Sequence, residues 1–425
     1  MKNSLTVAIF LLAGSALAST NDFLSWEQCL ARTEAQSSEL VSARAAVREL
    51  EFGVASASAG FLPQIDAKAS YGIAGVEAGG DWPTSDDATI GSLNLTQDLF
   101  SGFGNIAKRK RAMAQLMVGQ EQFRQTQADV EQRLRLAYVD VLYAQDLVEL
   151  TRKIAERRSN NVRLIQLRFD GGRENAGSLA RSKAQLSQSE YEVRQAERSL
   201  TYSLRNLAAA MGEMEPVEGG SGSLQADHPQ ELNELEMLMK QTTGYLIAET
   251  QIEASRQGLK VTRSDRFPSV GLSARVGAGA SDGWDQWGGF WSAGLNASIP
   301  LFTGGRNRAN VAADKEKVIQ SEMDLSDKMN SLMASLQDQW NRYIDAVENE
   351  ASQKELFDAE TLRAEISTAK YKQGLLSYED WDIIESNLIS QGKTHLQRRR
   401  TSELEQARWK NALGWSVWHV MEEGE

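Results

Sequence analysis

The sequence is poor in the residues that most often organise a chain's chemistry. Its 425 residues include one cysteine, six prolines and three histidines. With Cys29 alone, a disulfide within the chain and a thiolate zinc site are both excluded, and a small buried hydrophobe is the expected role. His228, His395 and His419 share no metal-ligand spacing, so neither a metal nor a cofactor is expected. Positive charge is not in excess. The formal net charge is −12, which argues against a nucleic-acid partner. Beyond the N-terminus there is no run of 18 apolar residues, so no transmembrane helix is expected. Proline is absent from Thr84 to Glu215, and a proline would cost a helix about 3 kcal/mol.

Within that stretch, Asn105 to Asp170 contains a single glycine, Gly119. Apolar residues recur there at helical spacing, among them Met113, Leu116, Met117, Phe123, Val130, Leu134, Val141, Leu142, Leu150, Ile154 and Ile165. The pattern predicts one helix roughly 100 Å long at 1.5 Å per residue. Such an amphipathic rod points to a coiled coil or helical barrel.

The same stretch occurs twice. Leu99-Phe100-Ser101-Gly102 reappears 202 residues later as Leu301-Phe302-Thr303-Gly304. Asn105 meets Asn307, Arg168-Phe169 and Gly172 meet Lys370-Tyr371 and Gly374, Leu186 meets Leu388, and Gly212 meets Gly414. Upstream, Phe61-Leu62-Pro63 resembles Arg266-Phe267-Pro268 with a few residues of slippage. Two copies of one unit of about 200 residues replace the roughly three separate domains the length alone would imply.

Residues 1–18 read as a secretory signal, with Lys2, an apolar run from Leu5 to Leu12, and Ala16-Leu17-Ala18 as the cleavage pattern. Leu24 to Gly60 reads as the first helix, with Ser25 and Gln28 as a capping box. Past Pro63 the period changes to two. Ile65, Ala67, Ala69, Tyr71 and Ile73 alternate with polar or small residues, as do Leu93, Leu95 and Leu99. Val270, Leu272, Ala274 and Val276 alternate likewise in the second half, as do Ala293, Leu295, Ala297 and Ile299. Strands are expected at about 64–76, 89–99, 268–280 and 290–300.

Runs of 9–11 residues suit strands tilted across a bilayer. Phe61, Phe100, Phe267 and Phe302 mark one end of the strands, and Trp82, Trp284, Trp287, Phe290 and Trp291 the other, like the two aromatic girdles of an outer-membrane barrel. Residues 79–81 and 281–283 then join the strand pairs. Four strands are too few to close a barrel, and open edges are not tolerated in lipid, so membrane insertion requires oligomerisation.

After the strands, Asn105–Asp170 and Ser178–Ala210 form a long and a returning helix. In the second half Glu231–Ser264, Asn307–Gln373 and Tyr378–Leu413 repeat the three helices. The expected organisation is a first repeat at 19–215, a linker at 216–229, a second repeat at 230–414 and a tail at 415–425.

This order resembles the TolC family of outer-membrane efflux channels. The marks are Leu62-Pro63 and Phe267-Pro268 at the helix-to-strand junctions, the turns from Leu99 to Gly104 and Leu301 to Arg306, and Phe169 to Gly172 and Tyr371 to Gly374 at the rod ends. The resemblance implies an α+β membrane protein of two tandem helix–strand–strand–helix repeats. As a homotrimer these would form a twelve-stranded β-barrel continued by a long periplasmic α-helical barrel. It implies passive export of drugs, small molecules or proteins through the outer membrane, with a periplasmic adaptor and an inner-membrane transporter as partners.

In that family an acidic ring narrows the periplasmic end. The matching position, six after Gly374, is Asp380, flanked by Glu379 and Asp382; these three read equally as first-turn acids that favour a helix N-terminus by about 0.3–1 kcal/mol each. The position of a second family acid holds Ile383, the first-half counterpart of Asp380 is Ser178, and the family's gating arginine is replaced by Leu376. Tyr371 is retained, and Arg173 and Glu174 are then the groups to hold the closed state.

Other chemistry is weaker. Gly102 to Ala107 fits G-x-G-x-x-A, but its strands are not a βαβ unit and the helix that follows is too long for a dinucleotide fold. Arg398-Arg399-Arg400 reads as a solvated helix face. No nucleophile–base pair stands out, and no enzyme is expected. The competing class is a periplasmic coiled-coil adaptor or structural protein, which the alternating strands and paired aromatic belts disfavour.

Overall fold

The computed structural model describes residues 23–76, 84–229, 232, 234–281 and 286–418. The signal segment at 1–18, Trp82, Trp284 and most of both strand-joining loops lie outside these residues. The first repeat comprises α1 (Trp26–Gln36), α2 (Ser38–Ser58), β1 (Gln64–Val76), β2 (Thr84–Ser101), α3 (Gly104–Asp170) and α4 (Ala176–Met211). The second comprises α5 (Leu235–Gln241), α6 (Thr243–Ser264), β3 (Ser269–Ser281), β4 (Gln286–Ser298), α7 (Arg306–Gln373) and α8 (Tyr378–Ala412).

The first helix of each repeat is broken where a single one is expected. Ser37 has extended backbone, and its side chain accepts from the Leu40 N–H to start α2 afresh. Thr242 does the same between α5 and α6, accepting from the Tyr245 N–H. A small polar residue whose side chain competes for backbone groups ends one helix and caps the next. At the start of α1, Ser25 and Gln28 form the expected reciprocal box.

The chain folds into two compact units that cut across the sequence repeats. One holds the segment ending at Gln36 with 134–226 and 350–403; the other holds 37–133, 227–349 and the segment from Leu404.

In the second of these units, the four strands make one antiparallel sheet in the order β1-β2-β3-β4. β2 begins at Thr84, ahead of the expected start at Thr89, and β4 begins at Gln286 rather than near Phe290. The register aligns like with like. Ala67, Leu93, Val276 and Trp291 form one cross-strand row, and Ile65, Leu95, Ala274 and Ala293 another. The adjacent rows, on the opposite face, are Asp66, Asn94, Arg275, Ser292 and Lys68, Ser92, Gly277, Phe290. Side chains alternate across a strand, so one face is predominantly apolar, with Gln97 as an exception, and the other predominantly polar or small, with Ile90 as an exception. Two expectations change here. A bulge between Asp98 and Phe100 puts Phe100, not Leu99, opposite Val270 on the apolar face. Phe290 falls on the polar face, whereas Trp287 and Trp291 stay on the apolar one.

The strand-to-helix turns show why the repeated glycines are needed. Gly102 has φ +60, and a Cβ there would stand 2.7 Å from both the Ser264 carbonyl and the Phe267 Cβ. Close backbone approach, not a phosphate cradle, accounts for the glycine-rich motif. In each repeat the asparagine after the turn ties it to the preceding helix end. The Asn105 amide donates to the Gly60 carbonyl at 2.8 Å, and the Asn307 amide to that of Asp265 at 3.1 Å.

In the unit that holds α1, the stretch after α4 is not a loose linker. The Leu24 N–H donates to the Gly219 carbonyl and the Ser221 N–H returns to that of Leu24. Gln145 brackets Gly220 with two hydrogen bonds, and Tyr138 donates to the carbonyl of Leu24. Arg399 donates twice to the Leu224 carbonyl, while Arg400 pairs with Asp140 and lies over Tyr143. Two of the three consecutive arginines therefore hold neighbouring segments in place, and only Arg398 keeps the solvated position expected of all three. Cys29, on α1, is fully buried, and burial pushes its thiol up to about 11.

Candidate functional site

The α3–α4 and α7–α8 turns meet in the same unit. Each rod ends in the same hydrogen-bond pattern. Arg173 N–H reaches the Arg168 carbonyl and Gly172 N–H that of Phe169, while Leu375 reaches Lys370 and Gly374 reaches Tyr371. Gly172 and Gly374 take φ +70 and +80, the left-handed conformation this helix stop requires. Asn175 then caps α4 by accepting from the Ser178 N–H. Ser377 caps α8, accepting from the Asp380 N–H at 3.1 Å and donating to its carboxylate at 2.8 Å.

Between the turns lies an apolar cluster of Ile165, Leu179, Tyr371, Tyr378 and Trp381, with Leu164 and Leu376 against it. Tyr371 and Trp381 stack at 4.4 Å, and the Arg168 guanidinium lies 4.5 Å over the Tyr371 ring while donating to the Tyr371 carbonyl. The Tyr371 hydroxyl donates to Glu174 at 2.9 Å, across to the turn between α3 and α4. Burial, followed by that carboxylate, raises the Tyr371 phenol well above its ordinary value. Burial and the nearby Asp382 carboxylate push Tyr378 up to about 12.

Beneath the cluster sits a layer of buried charge. Asp382 is 3% exposed and pairs with Arg158 at 3.4 Å and Arg181 at 3.0 Å, with the Gln185 amide at 2.9 Å. One turn on, Glu385 is 1% exposed and holds Arg157 in two bonds of 2.6 and 2.7 Å, with Asn161 and Thr368 as further donors. Burial, the largest influence, raises the Glu385 carboxyl, but the two-pronged Arg157 contact together with the Asn161 and Thr368 bonds outweighs it and holds the group below its ordinary value.

Of the six residues expected at a constriction, Asp380, Glu379 and Arg173 present exposed side chains, whereas Tyr371, Ser178 and Asp382 are buried. Asp382 thus belongs to an interior ion-pair cluster and not to a solvated acidic rim. Ser178 is covered by its place in the first turn of α4. Arg157, Arg158, Arg181 and Glu385 carry no signal in the sequence. Glu385 lies 228 residues from Arg157, a separation at which periodicity holds no information.

The sequence profile of the outer membrane efflux protein family matches residues 30–213 and 246–414, both repeats. The outer membrane efflux protein BepC of Brucella suis is 24% identical over 364 residues, 80% of this chain and 74% of that protein. The outer membrane protein TolC of Vibrio cholerae is 24% identical over 338 residues, 75% of each. The crystal structure of CusC, a transmembrane channel, superposes with a TM-score of 0.81 at 16% identity over 91% of both chains. The sheet with its apolar face, the paired rods and these matches agree: the chain belongs to the outer membrane efflux protein family and is a channel protein of the outer membrane.

Proposed function

We propose that the protein is the exit duct of an export machine and works as a homotrimer. The observation that carries this reading is a four-stranded sheet with one apolar face and two open edges, β1 and β4. In lipid, each unpaired backbone group at an edge costs several kcal/mol, so copies of the sheet must close on one another. Three copies supply twelve strands, well above the eight of the smallest barrels. The turns support the same closure. Gly102 of the first repeat is packed on Ser264 and Phe267 of the second, whereas its equivalent Gly304 faces open space and Leu301 and Phe302 stand 90% and 89% exposed. The Ala59–Leu62 junction of a neighbouring copy, equivalent to Ser264–Phe267, would cover them.

The barrel continues into a periplasmic tunnel of the paired rods. Transport is passive, with energy supplied by an inner-membrane transporter reached through a periplasmic adaptor, and the cargo is small molecules or proteins. At the helix turns, Asp380 and Glu379 from three copies form an acidic constriction that favours cations. Tyr371 donating to Glu174, with Arg173 beside it, latches the α7 end to the α3–α4 turn in the closed state.

Single-channel recording in planar bilayers tests this, with Asp380→Asn alongside. Cation-preferring currents whose preference falls in the variant are expected. An unchanged preference removes Asp380 from the constriction, and failure of folded protein to form any channel overturns the duct.

A further inference from the structure

We propose that Arg275, laid over Phe290 on the polar face of the sheet, is a selecting site for aromatic organic anions inside the barrel. The inference rests on the trimeric closure above, which turns that face to the lumen. Arg275 is the central residue of β3. Its guanidinium carbon lies 5.0 Å from the centre of the Phe290 ring, and one of its nitrogens donates to the Ser92 hydroxyl at 3.2 Å. Among the described residues its partners are a ring and a hydroxyl and no carboxylate, so none of them neutralises its charge. A guanidinium carries five N–H donors in a fixed fork, and most of these remain for a ligand.

The neighbouring charges behave differently. Asp66, two strands away in the same cross-strand row as Arg275, is compensated by Lys68 at 3.5 Å and accepts from Asn94. Asp98 pairs in register with Gly271, four residues along β3 from Arg275, which is about 13 Å of strand. That exceeds the roughly 8 Å screening length at physiological salt. The level of Arg275 is therefore positive, and three copies would ring the lumen with guanidinium.

The aromatic half of the site is also built. Phe290 occupies the polar face because Gly277, directly opposite, leaves it room. A Cβ on Gly277 would stand 2.6 Å from the ring and 2.9 Å from the Ser92 Cβ. A hydrophobic ring on a water-facing surface, held flat beneath a cation, offers a stacking surface beside a carboxylate-binding fork. The ligand that uses both is a carboxylate borne on an aromatic ring.

The test is reversal potential and current block in planar bilayers, with salicylate as probe and acetate as its ring-free control. Recording counts only inserted channels, so misfolding cannot imitate altered selectivity. Salicylate is expected to block the wild type at lower concentration than acetate. Arg275→Gln should shift the reversal potential toward cation preference and weaken salicylate block about tenfold, which is 1.4 kcal/mol. Phe290→Leu should weaken salicylate block severalfold and leave acetate unchanged. Conducting Arg275→Gln channels with wild-type reversal potential and wild-type block would overturn the site while leaving the duct intact. A wild type that forms no channel would overturn the closed barrel, and the site with it.

Discussion

Tyr371 and Trp381 lie face to face, 4.4 Å between ring centres and 5° from parallel, and so join the end of α7 to the start of α8. Both are essentially buried, and Trp381 also donates its indole N–H to Thr368 at 3.1 Å. The stack braces the α7–α8 corner, from which the exposed Glu379 and Asp380 project.

Removing the indole should leave a cavity that the turn cannot refill. Trp381→Ala is expected to cost about 3–5 kcal/mol, the range for large aromatic deletions in a packed core. Tyr371→Phe keeps the stack and loses only the hydroxyl bond to Glu174, at about 1 kcal/mol. Denaturant unfolding of the purified protein, followed by tryptophan fluorescence and circular dichroism, separates the two. Equal losses would show that the hydroxyl bond, not the stack, holds the corner.

Glu385 should make stability depend on acidity. Its folded carboxyl is held below the ordinary value, so the stabilisation is present above the unfolded value of about 4.3 and is lost as pH falls through the folded one. Melting temperature measured from pH 7 down to pH 3 should fall more steeply for the wild type than for Glu385→Gln. Arg157→Met leaves the carboxylate buried and uncompensated, at a cost of about 3–5 kcal/mol near neutrality. With burial then dominant, its carboxyl rises, and acid should relieve part of the defect. A pH profile of Arg157→Met parallel to the wild type would contradict this account.

The two equivalent turn glycines separate folding from assembly. Gly102→Ala meets packed backbone and a left-handed φ together, whereas Gly304→Ala meets only the left-handed φ within one chain. That conformation alone costs roughly 1–2 kcal/mol with a side chain. If a neighbouring copy packs on Gly304, the two variants should reduce the trimer fraction alike, read by semi-native gel electrophoresis of outer-membrane extracts. A trimer fraction untouched by Gly304→Ala would count against the proposed closure.

What is legible in the chain is whatever depends on near neighbours. The change of period at Pro63, the glycine-stopped rods at Gly172 and Gly374, and the 202-residue repeat all place their elements within a few residues of the observed ones. The breaks at Ser37 and Thr242 escape such a reading because a serine or threonine inside an apolar stripe reads equally as a helix residue or a cap. The bulge at Asp98 and the polar-face position of Phe290 escape it because alternation is counted along one strand, whereas facing is settled by register with the next. Asp380 and Glu379 are exposed in the first turn of α8, but Asp382, two residues beyond Asp380, is buried, and a run of acids in one sequence does not tell these apart.

The periodicity of the residues alone decides that this chain is long rods and alternating strands, twice over, because helix and strand periods are written in spacings of two to four residues. Only the folded structure decides which charges meet. Arg157 and Arg158 find Glu385 and Asp382 across more than 200 residues, and Arg275 finds Phe290 across a sheet. Those contacts depend on register and on the angles at which helices pack. Both are set by burying apolar faces against one another, and a linear pattern does not contain them.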